Sequence, residues 1–69
     1  MQKRFIECFS YVHGRKEAKE MLNELNSLKS SKSFPFIFDS NKDDAWLILG
    51  TVTEEDWDRL NLESDFMRV

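Results

Sequence analysis

Cysteine and histidine are nearly missing: Cys8 and His13 are the only ones in 69 residues. A disulfide therefore cannot brace the fold, no Cys/His cluster exists to hold zinc, and a lone thiol fits a reducing compartment. Pro35 is the only proline, and Gly14 and Gly50 are the only glycines. With so little of either, no interdomain linker and no glycine-rich phosphate loop can be drawn, and the G-x-S-x-G and HExxH signatures are also missing. Long apolar runs are missing too. The longest, AWLILGTV at residues 45–52, is far too short to cross a bilayer, and no charged segment followed by an apolar stretch and small-residue cleavage site opens the chain. The expectation is a soluble, cytoplasmic protein without a signal peptide, membrane contact, cofactor or metal.

Sixty-nine residues allow a single domain, residues 1–69, and a chain this short buries only roughly 60% of the surface its unfolded form exposes. A partner or a second copy would help its stability. The net charge of −3 hides an asymmetry. Residues 1–35 carry seven Lys/Arg against four Glu, a net +3, whereas residues 36–69 carry three Lys/Arg against nine Asp/Glu, a net −6. That balance disfavours a nonspecific phosphate-backbone binder, which needs clustered cations, and suits docking onto a basic surface.

What remains is patterned. Residues 45–52 are apolar at both parities, which predicts a central strand covered on both faces. Residues 5–12, FIECFSYV, predict another strand with Ile6, Cys8, Ser10 and Val12 facing the core, because burying the unpaired Glu7 carboxylate costs more than burying a hydroxyl and a thiol. Phe5, Phe9 and Tyr11 then face outward. From Arg15, the spacing of Ala18, Met21, Leu22, Leu25 and Leu28 predicts an amphipathic helix with Gly14 as its N-cap. Residues 30–33 are loop by composition. Residues 34–38, FPFIF, predict an edge strand, since Pro35 cannot donate to a ladder, and residues 39–43 a polar hairpin turn. Thr53 is the expected N-cap of a short helix bearing Glu54, Glu55 and Asp56 at its positive pole, Val52 and Trp57 forming a hydrophobic staple. Trp57 and Leu60 mark its buried side, Asn61 interrupts it, and residues 65–69 supply a brief last strand.

Strand, helix, strand, strand, helix, strand is the split βαβ order of an α+β fold that resembles a ferredoxin-like sandwich, an antiparallel sheet with two helices on one face. The first and third strands should be central and the second an edge.

Three constellations invite chemistry. Cys8 and His13 are a nucleophile and base by residue type, but their odd separation puts them on opposite faces of one strand. Asp39, Asn41 and Asp43 resemble the opening of a calcium loop, yet Asp44 stands in the glycine position and Gly50 in that of the bidentate Glu, so a solvated turn is expected. Glu54, Glu55, Asp56 and Asp58 crowd one exposed helix turn instead of facing each other across a cleft, as paired catalytic carboxylates must.

The expectation is thus a non-enzymatic protein-binding module. Its partner would be a larger protein with a basic surface, in the manner of phage or mobile-element inhibitors such as anti-CRISPR proteins. This is a class-level expectation that no motif carries. The docking residues would be Phe5, Phe9, Tyr11, Trp46 and Ile48 on an open sheet face, with Glu54, Glu55 and Asp58 as an acidic patch. Two alternatives stand beside it. A homodimer could close on the same face. Single strands could stack on its aromatics as in RRM domains, helped by Lys3, Arg4, Arg15 and Lys16, although the paired RNP motifs are not matched.

Overall fold

A computed structural model describes residues 4–69. The elements run β1 (Phe5–His13), α1 (Arg15–Leu28), β2 (Ile37–Lys42), β3 (Ala45–Thr53), α2 (Glu54–Arg59), a 3-10 turn (Leu62–Ser64) and β4 (Met67–Arg68). The result is a small α+β fold, a four-stranded antiparallel sheet in the order β2-β3-β1-β4 with two helices. The apolar run is a central strand, paired on both sides, as its composition requires.

β1 and β3 pair so that Ile6 faces Val52, Cys8 faces Gly50, Phe9 faces Leu49 and Tyr11 faces Leu47. Neighbouring strands share a face at paired positions, so this register puts all even-numbered residues of both strands on one side. That side is the core. Ile6, Cys8, Ile48 and Val52 are buried there with Ala18 and Leu25 of α1, Trp57 of α2, and Phe36, Leu62 and Phe66. Both helices therefore lie on the even face, and α1 places Met21 and Leu22 against the same cluster. Leu28, at the end of the apolar stripe, is left exposed.

Helix boundaries follow the expected local chemistry. Gly14 takes the N-cap of α1 at φ 92°, a backbone conformation glycine adopts without strain. The Thr53 side chain caps α2 by accepting from the Asp56 amide at 3.2 Å. Asn61, at φ 52°, ends that helix in the left-handed conformation asparagine tolerates.

The second strand departs from its expected position. Strand pairing begins at Ile37, not residue 34, because the Asn26 side chain claims the Phe36 backbone on both sides. The Phe36 amide donates to Asn26 Oδ1 at 2.8 Å, and Asn26 Nδ2 donates to the Phe36 carbonyl at 3.2 Å. A side-chain amide here replaces a neighbouring strand. Pro35 thus precedes the edge strand instead of sitting within it. At the other end, pairing continues to Lys42 opposite Ala45, across an irregularity between Phe38 and Asn41. The turn is therefore not residues 39–43 but the two residues Asp43 and Asp44, with φ 55° and 61°. Positive φ at both positions is what a two-residue hairpin loop needs to match the twist of its strands.

Candidate functional site: the uncovered face of the sheet

The odd-numbered residues of β1 and β3 make the second face. Phe5, Phe9 and Tyr11 stand on it as expected, but Trp46 and Ile48 do not, and that assignment is corrected. Ile48 pairs with Ser10 on the helix side and is fully buried, at 0% exposure. Trp46 pairs with Val12 on the same side, half-buried, with its ring 5.2 Å from that of Phe38 and the Arg15 guanidinium 5.9 Å over it. The cause is parity. The register pairs odd residues with odd, so the partners of Phe9 and Tyr11 are Leu49 and Leu47.

The edge strands extend this face. Ile37 pairs with Leu49 and Met67 with Phe9, so both lie on the odd side. Val69, whose amide donates to the Glu7 carbonyl at 2.9 Å, adds another apolar side chain. Phe34, held by its amide to the Thr51 carbonyl at 3.0 Å, leans over one end with its ring 5.9 Å from Phe5. Phe9 and Tyr11 meet edge-to-face at 6.2 Å. Tyr11 is 64% exposed, Met67 66%, Phe34 61% and Ile37 54%, so no described element covers the patch. The sequence offered a signal for the correct parity. A staple between Val52 and Trp57 requires Val52 on the helix side, which carries Ile48 and Trp46 with it.

Glu7 is the one carboxylate set among these apolar side chains. It lies opposite Thr51 and lines a groove of about 400 Å³ walled by Phe34, Pro35, Ile37, Leu49 and Val69. Neither described ion pair involves it.

The acidic patch divides. Glu54, Glu55 and Asp58 are exposed on α2, and Glu54 reaches Arg4 at 4.0 Å. Because α2 packs on the covered face, these carboxylates are not brought together with Phe9 and Tyr11. The two surfaces approach at the Phe5 end, where a groove is lined by Arg4, Phe5, Glu54, Asp58, Glu63 and Arg68.

Asp56 is not part of any patch. It is 1% exposed, and its Oδ2 accepts from the Ser33 hydroxyl at 2.5 Å and from the Ser30 hydroxyl and amide at 2.8 and 3.0 Å. Arg59 donates to its Oδ1 at 3.1 Å and also to the Leu28 carbonyl. Burial alone would raise its pKa. The hydrogen bonds from Ser33, Ser30 and Arg59 outweigh it and hold the carboxyl well below the usual carboxylate range. Ser33 Oγ in turn accepts from the Thr53 amide at 3.0 Å. All these groups are satisfied within the protein, so the cluster is a structural joint rather than a reactive one.

The remaining candidates are also placed. Cys8 is buried beside the Gly50 carbonyl, 3.5 Å away, and burial pushes its pKa up to about 11, which leaves a thiol too protonated to act as a nucleophile. His13 is exposed at the end of β1, on the odd side. Asp39 and Asn41 lie in β2 and only Asp43 in the turn, so the three do not form one loop. Among the described residues no group of three or more His, Cys, Asp or Glu could hold a metal ion. Of the basic residues, Arg4 pairs with Glu54, Arg15 stacks on Trp46 away from the open face, Lys16 is exposed on α1, and Lys3 lies outside the described residues. No described helix is long and apolar enough to cross a membrane. Comparison with protein-family models, curated proteins and solved structures finds no match for this chain.

Proposed function

We propose that the chain is a non-enzymatic module that binds another protein through the uncovered face of its sheet. The observation that carries this reading is the uncovered apolar surface from Phe34 and Phe5 through Phe9 and Leu49 to Tyr11. Contiguous exposed apolar surface on so small a domain marks an interaction site, and aromatic side chains supply most of the energy where such surfaces meet. The acidic side chains Glu54, Glu55 and Asp58 lie off this face and serve to attract a basic partner over distance. A small binding module of this kind acts by occlusion, as an inhibitor carried by a phage or mobile element would, in a reducing cytoplasm that suits its single thiol. The architecture is the split βαβ arrangement of ferredoxin-like proteins, a reading supported by β3 lying between β1 and β2 and by helices on one face. Binding of single strands by stacking is the weaker reading, because the aromatic face carries the Glu7 carboxylate, which repels phosphate.

The test is affinity capture from lysate of cells carrying the chain, with wild type, Phe9→Ser and Leu49→Asp as baits of matched circular dichroism. A stoichiometric protein retained by wild type and lost from both variants is expected. Identical captures by all three, or micromolar binding of wild type to a single-stranded oligonucleotide at physiological salt, would overturn the reading.

A further inference from the structure

We infer that the uncovered face selects a partner surface that is apolar but presents one lysine or arginine side chain into the groove floored by Glu7. This inference rests on the docking role proposed above and specifies the chemistry of the partner.

Glu7 stands in β1 between Phe5 and Phe9, opposite Thr51, and the groove beside it is walled by Phe34, Pro35, Ile37, Leu49 and Val69. Apolar walls around a single carboxylate match a side chain with an aliphatic stem and a cationic head. A partner that covers the face must also cover Glu7. Once water is displaced, an unpaired carboxylate is costly, so a fully apolar partner is penalised and one with a placed cation is not.

The same argument disfavours a second copy of this chain as the occupant. In a face-to-face pair centred on the patch, each Glu7 would meet apolar side chains or the other Glu7. Arg68, between Met67 and Val69, sends its guanidinium to the opposite side, 5.8 Å over Trp57, and Lys42, opposite Ala45, stands at the far end of β3 from Thr51, the partner of Glu7. Arg4 is engaged with Glu54. Glu7 thus has two roles, discouraging self-association of an otherwise sticky face and fixing the charge of what binds there.

The experiment uses the full chain as bait for a library of random displayed peptides, with Glu7→Gln and Glu7→Lys as parallel baits. Amide shift mapping locates each selected peptide. Expected are peptides that shift residues 34–37 and 49–51, share one Lys or Arg among apolar residues, and give way to Asp or Glu on the Glu7→Lys bait. Replacing the shared cation by Ala should weaken binding to wild type about fivefold but to Glu7→Gln less than about twofold. Peptides on the same face without a shared cation, or equal losses on both baits, would refute the inference while leaving the docking face intact. Selection of no peptides, or only peptides bound elsewhere, would refute both. Light scattering that shows wild type dimeric at low micromolar concentration would assign the face to a second copy and refute the inference.

Discussion

The Phe36 ring packs directly against Gly50: a methyl group built on Gly50 would stand 2.2 Å from Phe36 Cε1 and 2.4 Å from Cδ1. Gly50 is on the core side of the central strand, opposite Cys8, and the ring that fills its place is buried and tilted against Phe66 at 5.5 Å. A strand interior normally loses stability through glycine. Here the missing side chain makes room for the Phe36 ring, the largest of the fully buried side chains.

Gly50→Ala should therefore destabilise the protein by about 2–3 kcal/mol, because the added methyl overlaps the buried Phe36 ring and forces strand or ring to shift. Phe36→Leu in the same chain should recover part of the loss, a coupling that chemical denaturation of the double-mutant cycle reads directly. Additive losses would mean that the ring moves aside.

Ile48 and Phe9 should separate cleanly. Ile48→Ala removes a fully buried side chain and should cost about 2–5 kcal/mol. Phe9→Ser, on the uncovered face, should cost about 1 kcal/mol or less. Thermal melts of the two variants check the assignment of faces, and the opposite ranking would reverse it.

Asp56 should make stability depend on acid. Its folded-state pKa is lowered, so its contribution is complete above the unfolded carboxylate value near pH ~4 and is lost as pH falls below it. Asp56→Asn should cost about 2 kcal/mol at pH 7, and the acid limb of its stability curve should be shallower than that of wild type. Urea denaturation at stepped pH measures both, and parallel acid limbs would show that the carboxylate does not carry the effect.

The hairpin loop should be improvable. Asp43 and Asp44 both occupy positive φ, where a side chain is strained, so replacing the pair by Asn-Gly should add about 0.5–1 kcal/mol. A raised urea midpoint with unchanged slope is the expected signature. A lowered midpoint would mean that the loop has another conformation.

Much of this architecture was legible in the sequence, for reasons that differ by element. Helical spacing from Ala18 to Leu25 and the capping chemistry at Thr53 are local, and both appear where expected. The outward set of β1 followed from the cost of burying Glu7. The face of β3 did not follow from its own residues, because a run apolar at both parities carries no marker of its orientation. Only Val52, committed to the helix side with Trp57, could have supplied it. The second strand was misplaced for another reason: Asn26, ten residues earlier on a helix, captures the backbone of Phe36, and no pattern within FPFIF announces that. Asp56 read as one more helix-start carboxylate, since the serines that surround it lie 23 and 26 residues away.

Those serine contacts have a mechanical result. Asp56 grips the loop after α1, and Arg59 reaches back 31 residues to the last carbonyl of that helix. The connection from α1 to β2 and the connection from β3 to β4 are therefore latched together behind the sheet. The two should open together, so the final turn of α1 and α2 are expected to exchange their amide hydrogens through one shared opening. A protease approaching the serine loop must wait for that same event.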